Sequence, residues 1–479
     1  MREIEIQLAY PFNYKWERSG SISVICNTSA ENYFHLFKTV TSLETALAAL
    51  QKADGNYAVV INTDKFLFAA ADRVSSFPLF YKKNATQLIL CDSILNTESR
   101  FQFDRFNLGD FGEFYCTQGT DTLLVGWSGL AAGGYLFYDK ESNELAVDRY
   151  FNFEQKRNGR LDRVHLQQIY LKVFQSIIDE AGNRPLIVPL SGGYDSRCIV
   201  ACLKFLGAKN IFCYTYGRKD SPEKAVAEKV AEQLNLNWQF VEYTAELLDV
   251  FFTDTWENYS DKNHHFTSLP HEQDFFALHA LQQKDLLPKN GIVLPGFLGD
   301  YFAGSMFKNP AGKINSENYQ DWYISNRGCK FILNSVRVYE YFGLEWRIPF
   351  AAKSILEYWL NISLQERFNT NGYNNALTEL FFKPLQINYR KPGHEYIPYP
   401  AKDFLQKSLP KSLLDYWQAL KANNPASDPN NTCYLYQKLV QAYGEKLKNA
   451  KKDFNQAHAG YFLERLAQKI ATLELKPGQ

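Results

Sequence analysis

Residues 191–196 read SGGYDS and combine residue types that suit phosphate chemistry. An apolar run, Leu186–Leu190, stops at Ser191; two glycines follow, and Asp195 stands just before a second hydroxyl, Ser196. Glycines let backbone N–H groups approach a phosphate closely because no Cβ intervenes, and a helix that begins there adds its positive end. A carboxylate beside phosphates is unfavourable unless a cation lies between them, so Asp195 is predicted to bind magnesium.

The same stretch excludes one common kind of phosphate site. No GK[ST] ending follows the glycines, so the loop is not the P-loop of enzymes that cleave the γ-phosphate. On this stretch alone, a strand-to-helix turn with incidental glycines remains an alternative.

The elements around the loop alternate between strand and helix, which predicts a parallel sheet with right-handed crossovers. The apolar spacing predicts a helix up to about Gly182, then the strand before the loop, then a helix from about Asp195 to Leu206. Further strands are predicted in NIFCYTYG, WQFVEYT and GIVLPG, and a helix in PEKAVAEKVAEQLN. From about residue 351 the chain is predicted to be mostly helical.

Residues 1 to about 155 have a different pattern, with short alternating or apolar runs between turn residues. Helices are predicted only around Thr41–Lys52 and Leu108–Cys116, which makes this part an α+β layered structure. The charged stretch Phe153–Arg163 is the best linker candidate. We therefore predict two domains, 1–155 and 156–479.

The composition excludes several classes of protein. The chain has 479 residues with 52 Lys+Arg and 52 Asp+Glu, so no basic surface points to nucleic acid. The first residues, MREIEIQLAYPF, are charged and do not resemble a secretory signal or transit peptide, and no apolar stretch approaches the roughly 18 residues of a membrane span. The eight cysteines include no CxxC pair. These features predict a cytoplasmic protein without a membrane span.

Three motifs carry a resemblance to a known family. SGGYDS resembles the SGGxDS pyrophosphate loop of the N-type ATP pyrophosphatases. VLPGFLGDYFAGS (Val293–Ser305) is similar to VLSGEGSDExFGGY of the asparagine synthetase family, and GLEWRIPF (Gly343–Phe350) to that family's G-[VL]-E-x-R-[VI]-P-F. More weakly, DGNYAVVI, AADRVSSFPLFY and GGYLFYD resemble the glutaminase domain of the same family.

The resemblance implies a fold of class α/β in two domains. An N-terminal-nucleophile (Ntn) hydrolase-like sandwich would come first, as a degenerate glutamine amidotransferase-like domain. A PP-loop ATP pyrophosphatase domain with a parallel sheet and a helical C-terminal part would follow.

The resemblance also implies roles for individual residues, with ATP and Mg²⁺ as cofactors. Asp195 and Asp300 would bind magnesium, and Lys391 would stabilise the α-phosphate, with its register uncertain by one residue. The residues implied to contact ATP or pyrophosphate are Leu190, Ser191, Gly192, Gly193, Asp195, Ser196, Tyr216, Gly217 and Gly296.

Two departures from the family change the predicted chemistry. The family's glutaminase uses a cysteine at position 2, which is Arg2 here, so glutamine hydrolysis is not expected. The glutamate of the SGEGSDE motif, near the attacking amine, is Phe297 here, and phenylalanine cannot take a proton. Another group, with Tyr301, Glu340 and Glu345 as candidates, must act as the base, or the nucleophile arrives neutral.

The predicted function is therefore an ATP-dependent, AMP-forming carbon–nitrogen ligase. It would adenylate a small or carrier-linked carboxylate for attack by ammonia or an amine. A uronic acid of surface-polysaccharide biosynthesis is one candidate, because relatives with a PLSGGYDSR loop are associated with that process. An intramolecular cyclase of the beta-lactam or lasso type, asparagine synthesis from free ammonia, and a non-catalytic nucleotide-binding scaffold stay open. So does a homodimeric assembly.

Overall fold

The computed structural model describes residues 3–97, 101–154, 156, 158–307, 317–389, 428–444 and 454–474. Among these residues, no helix has the length and apolar character that crossing a membrane requires.

Ten strands in the first third of the chain form two sheets. They are β1 (Glu3–Gln7), β2 (Glu17–Ser19), β3 (Ile22–Cys26), β4 (Tyr57–Asn62), β5 (Phe66–Ala71), β6 (Phe80–Lys83), β7 (Gln87–Cys91), β8 (Trp127–Gly129), β9 (Gly134–Asp139) and β10 (Leu145–Arg149). One sheet has the order β1-β7-β6-β8 and the other β10-β9-β5-β4-β3-β2. All pairs are antiparallel except β1 with β7.

The two sheets are layered because their strands carry apolar side chains on both faces. One face of the six-stranded sheet, with Val24 and Val59, packs on helices α1 (Ala30–Phe37) and α2 (Leu43–Lys52). The opposite face, with Val60 among others, shares a core with Leu88 and Leu90 of β7. Helices and two sheets thus form layers, in agreement with the predicted α+β structure. The assignment to the Ntn-hydrolase class rests on the sequence motifs and stays a prediction.

The second part of the chain contains the predicted parallel sheet, in the order β13-β12-β11-β14-β15. Its strands are β11 (Leu186–Pro189), β12 (Ile211–Gly217), β13 (Asn237–Glu242), β14 (Ile292–Val293) and β15 (Glu345–Trp346). Three of the predicted strands match within two residues at each end, whereas β14 is reduced to two residues. Because all strands run in the same direction, their carboxyl ends meet along one edge.

The remaining helices of the described residues lie in the second part of the chain, except the first, whose Phe111 packs with Phe80 and Ile89 of the four-stranded sheet. In chain order they are α3 (Arg105–Phe114), α4 (Arg163–Ala181), α5 (Tyr194–Phe205), α6 (Pro222–Gln233), α7 (Ala245–Leu248), α8 (Asp254–Asn263), α9 (Gln273–Gln283), α10 (Gly299–Phe302), α11 (Glu317–Tyr323), α12 (Arg337–Tyr341), α13 (Lys353–Asn361), α14 (Leu364–Arg367), α15 (Asn371–Leu377), α16 (Thr432–Tyr443) and α17 (Phe454–Glu474). Two π-helical segments, Ile324–Ile332 and Thr378–Phe382, extend α11 and α15.

The first part of the chain supports helix α12, which will matter for the site. Arg337 and Glu340 of α12 form a buried ion pair with a 2.6 Å Nη1–Oε1 distance. The Tyr10 hydroxyl donates to Glu340 at 2.9 Å, and the Arg337 guanidinium donates to the Ser76 carbonyl. A buried ion pair needs such additional partners to offset its lost hydration. The first part of the chain therefore holds a helix of the second part in place.

Candidate active site

The glycine loop lies at the carboxyl edge of the parallel sheet, between β11 and α5. Ser196 Oγ accepts a hydrogen bond from the Ser191 backbone N–H at 3.0 Å, and Ser191 Oγ accepts from the Gly193 N–H, also at 3.0 Å. The two hydroxyl oxygens are themselves 3.0 Å apart. The serines therefore close the loop onto the first turn of α5, where the helix dipole favours an anion.

A cavity of about 290 Å³ opens beside this loop. Seven of the residues predicted to bind ATP line this cavity: Leu190, Ser191, Gly193, Asp195, Ser196, Tyr216 and Gly296. The rest of its lining is Pro189, Tyr194, Tyr214, Thr215, Glu223, Gln273, Asp274, Pro295, Phe297, Tyr339 and Asn430. Segments far apart in the sequence thus meet at one edge of the sheet.

Asp195 is held from several sides. The Tyr373 hydroxyl donates to its Oδ1 at 2.5 Å, and the Asp300 backbone N–H approaches Oδ2 at 3.4 Å. Two glycines make this packing possible: a Cβ on Gly296 would lie 2.9 Å from Asp195 Cβ, and one on Gly299 would lie 2.9 Å from Asp195 Oδ1. The carboxylate therefore has a single well-defined position.

Burial, followed by repulsion from the Asp300 carboxylate, raises the pKa of Asp195 to about 8, although the hydrogen bonds from Tyr373 and Asp300 act in the opposite direction. Two carboxylates that disfavour each other's charge form a site that a divalent cation stabilises. Hard oxygen donors suit magnesium. The described residues contain no group of three or more metal-ligating His, Cys, Asp or Glu side chains. The pair thus fits a magnesium ion that takes its other ligands from phosphates and water, and not an all-protein cage.

Arg197, the residue after the motif, was not among the predicted site residues. Its guanidinium donates to the carbonyls of Gly192 at 2.8 Å, Ile387 at 3.1 Å and Tyr389 at 2.8 Å. It thus ties the loop to the segment that follows the π-helical stretch Thr378–Phe382. Lys391 follows two positions after Tyr389 and lies outside the described residues.

The cavity lining includes another carboxylate, Asp274, which sequence reasoning also missed. Asp274 begins the first turn of α9 and is 5% exposed. Its Oδ1 accepts from the Tyr214 hydroxyl at 2.8 Å and its Oδ2 from the Tyr339 hydroxyl at 3.1 Å. The Tyr339 ring lies nearly parallel to the ring of Phe297, with the centroids 6.4 Å apart. Burial raises the pKa of Asp274 to about 6, against the effect of both tyrosines.

Tyr216 and Gly217 follow each other at the end of β12 but occupy different environments. Tyr216 lines the cavity, and its ring stacks on Tyr243 at 5.1 Å. Gly217 has φ = 121°, and a Cβ there would lie 2.3 Å from the Pro429 carbonyl oxygen. Glycine is thus required for the close approach of the segment that brings Asn430 to the cavity.

The structure does not bring the remaining predicted residues into the lining. Gly192 lies in the loop, with its carbonyl bound to Arg197. Tyr301 stacks on Tyr323 at 5.3 Å, and burial is the main cause of its raised pKa. Asp300 is not among the lining residues, although its backbone N–H lies 3.4 Å from Asp195 Oδ2.

Glu345, one of the candidate bases, does not lie at the cavity. It is paired in register with Ile292, which is itself level with Leu186, so it lies at the amino end of the sheet. There its carboxylate binds Arg184 at 2.5 Å and Arg347 at 3.2 Å. The loop is at the opposite edge, so Glu345 belongs to an ion-pair group and not to this cavity. Glu340 is likewise occupied, by Arg337, Tyr10 and the Trp346 indole N–H.

Comparison with known proteins places a family match on this site. Residues 181–268, well under half of the chain, match the family model described as asparagine synthase. No curated protein matches the chain. The chain is 14% identical to an NH3-dependent NAD synthetase from Campylobacter jejuni subsp. jejuni NCTC 11168, covering 67% of this chain and 99% of that one, with a TM-score of 0.24. It is 12% identical to the U34-tRNA thiolase NcsA from Methanococcus maripaludis, covering 68% and 85%, with a TM-score of 0.25.

A glutamine phosphoribosylpyrophosphate amidotransferase from B. subtilis is 12% identical, covering 49% of this chain and 73% of that one, with a TM-score of 0.20. TM-scores of this size do not establish a common fold. The segment 181–268, which carries the glycine loop, α5 and strands β11–β13, matches the asparagine synthase family model.

Proposed function

We propose that this protein is an ATP-dependent, AMP-forming ligase that joins a carboxylate to ammonia or a primary amine. The observation that carries the proposal is the SGGYDS loop, which lies inside the segment that matches the asparagine synthase family and at the carboxyl edge of a parallel sheet. The adjacent carboxylates of Asp195 and Asp300 lie beside this loop. The proposed substrate is a small or carrier-linked acid.

The loop would bind the β- and γ-phosphates of ATP through the backbone and hydroxyls of Ser191, Gly192, Gly193 and Ser196. Asp195 and Asp300 would hold magnesium, which neutralises charge on the departing pyrophosphate. The position of Asp195, fixed by Tyr373, suits this role because a misplaced carboxylate would hold the phosphates out of line.

Adenine would lie toward Leu190, Tyr216 and Gly296, where the Tyr216 ring is supported by Tyr243. Because Gly217 has no Cβ, it would allow Pro429 and Asn430 to approach the edge of the cavity. The proposal for Lys391, charge stabilisation at the α-phosphate, rests on its motif and on the anchoring of Tyr389 by Arg197.

The reaction has two steps. A substrate carboxylate oxygen attacks the α-phosphorus of ATP, and the bond to the β-phosphate bridging oxygen breaks, releasing pyrophosphate. The amine nitrogen then attacks the acyl carbon of the adenylate, and the C–O bond breaks with its electron pair leaving on AMP.

We propose that the nucleophile does not come from glutamine hydrolysis in this chain. A glutaminase thiol must be accessible and reach the thiolate form. Seven of the eight cysteines are buried and Cys433 is half-buried. Burial raises the pKa of Cys26, and likewise of Cys433, to about 11. Free ammonia or an amine would therefore be the acceptor.

ATP–pyrophosphate exchange tests this function directly. The protein would be incubated with ATP, magnesium and labelled pyrophosphate against aspartate, a nucleotide-linked uronic acid, and peptides with acidic side chains. Exchange with one class would establish adenylation and identify the carboxylate. We expect Asp195→Asn and Asp300→Asn to abolish exchange with unchanged circular dichroism. The matched control is Asp179→Asn, an exposed carboxylate on α4.

Asp195→Asn with wild-type exchange would contradict the proposed site. A wild-type protein that binds ATP but supports no exchange with any member of the panel would contradict the proposed reaction.

A further inference from the structure

We propose that Asp274 is the proton acceptor for the attacking amine, on the cavity wall that also holds Tyr339 and Phe297. This inference rests on the proposed function and assigns a base to its second step. It replaces the candidates Glu340 and Glu345, whose carboxylates are occupied by arginines.

The position of Asp274 is the first argument. Among the cavity-lining side chains, the three carboxylates are those of Asp195, Glu223 and Asp274. Asp195 belongs to the phosphate side. Glu223 is at the first turn of α6 and is only partly buried. Asp274 is 5% exposed and faces the same space as the phosphate loop, on the wall that also holds Phe297 and Tyr339.

The hydrogen bonding of Asp274 is the second argument. Each carboxylate oxygen accepts one tyrosine hydroxyl, at 2.8 Å from Tyr214 and 3.1 Å from Tyr339. Since a carboxylate oxygen has two lone pairs, each keeps one for a further donor. The two tyrosines are fully buried, so they orient the carboxylate without exposing it. A carboxylate held in this way can accept an N–H from a molecule in the cavity.

The pKa of about 6, raised by burial, suits a base that works near neutral pH. The ionisable groups that face Asp274 are Tyr214 from β12 and Tyr339 from α12. The charge of Asp274 also acts, from further away, on Tyr216, Tyr243 and Tyr259. All are phenols with raised pKa values and remain neutral. Glu272, the neighbouring acid, instead pairs with His458 at 3.7 Å.

The acceptor enters as an ammonium group and transfers one proton to an Asp274 oxygen. Its freed lone pair forms the C–N bond to the acyl carbon. The C–O bond to the adenylate breaks, AMP leaves with the electron pair, and the second N–H proton goes to the AMP phosphate or to water. Phe297 contributes an apolar surface that favours the neutral amine over the ammonium ion.

The test separates the two half-reactions. Exchange of pyrophosphate is measured without a nucleophile, and amide formation is measured as AMP release with ammonium chloride as the probe, using the carboxylate that supports exchange. We expect Asp274→Asn to keep exchange within about threefold of wild type and to lose amide formation by about 100-fold or more. Asp274→Glu should recover part of the second activity.

A pH profile distinguishes a proton acceptor from a structural carboxylate. Because the Tyr339 hydroxyl stabilises the ionised form, Tyr339→Phe should move the acid-side midpoint of amide formation to higher pH, by about one unit. The matched control is Tyr341→Phe on the same helix. It removes a 3.1 Å hydrogen bond to the Thr255 carbonyl outside the cavity and should leave the midpoint in place.

Equal loss of both half-reactions in Asp274→Asn, or full amide formation, would overturn the assignment. So would an unshifted midpoint in Tyr339→Phe. Absence of exchange in the wild type is a different result, because it would refute the proposed function itself and this step with it.

Discussion

Replacing Gly296 with alanine should disable the site through one added methyl group. Gly296 packs against the first turn of α5, where its new Cβ would lie 2.9 Å from Asp195 Cβ and 3.1 Å from the Ser196 backbone nitrogen. Carbon atoms prefer separations of about 3.5–4.0 Å. The Gly296 segment and the phosphate loop would therefore have to separate by roughly 0.5–1 Å.

The size of the effect depends on which atoms can move away from the added methyl group. Both opposing atoms are close to or part of the backbone of α5, so no flexible side chain can rotate away. Overpacking of this kind costs about 1–3 kcal/mol. A misplacement of about 1 Å in a reactive geometry can lower a rate by about 100-fold. We expect Mg·ATP affinity to fall by at least about tenfold, and exchange to fall further.

The assay is titration calorimetry with Mg·ATP together with thermal unfolding. The matched control is Gly109→Ala, at an exposed position of helix α3 where a Cβ would meet no atom within 4 Å. Alanine should stabilise that helix by about 0.5–1 kcal/mol without changing ATP affinity. Wild-type ATP affinity and stability in Gly296→Ala would refute the packing that we describe around Asp195.

Three further predictions address other parts of the structure. Gly217→Ala should weaken ATP binding and expose 428–444 to protease, because its Cβ would lie 2.3 Å from the Pro429 carbonyl oxygen at φ = 121°; unchanged proteolysis would contradict that contact. Arg197→Met leaves three carbonyls without their charged donor, so backbone amide hydrogen exchange near Tyr389 should accelerate, whereas Arg197→Lys should restore part of the protection against it. Equal hydrogen exchange in wild type and Arg197→Met would contradict the role of Arg197 in linking the loop to this segment. Burial raises the pKa of Asp72 to about 6, so the folded state binds the extra proton and loses up to about 3 kcal/mol of stability as the pH rises from about 4 to about 6. Chemical denaturation should therefore show that the free energy of unfolding of wild type, relative to that of Asp72→Asn, falls over that pH interval. A difference that stays constant with pH would contradict the raised pKa of Asp72.

Much of the local architecture is determined by the sequence itself. The SGGYDS loop, the strand before it and the helix after it follow from an apolar run that stops at two glycines, and strands β11 to β13 lie in the predicted parallel order. These features depend on contacts between residues close in the chain and on the periodicity of apolar residues, both of which can be read from the sequence. Gly296 and Asp195 were also chosen from motifs, and the fold places them in contact.

Other parts of the site depend on side chains far apart in the sequence. Tyr373 reaches Asp195 across 178 positions, and Tyr339 reaches Asp274 across 65. No spacing rule predicts such pairs, because they arise when α15 and α12 pack against the sheet edge. Glu345 shows the converse: its motif suggested a reactive carboxylate, but strand register places it at the amino end of the sheet, beside two arginines. The sequence determined which loop could bind phosphate, and only the tertiary structure decided which carboxylates share its cavity, because direction along a strand and distance across a core are properties of packing.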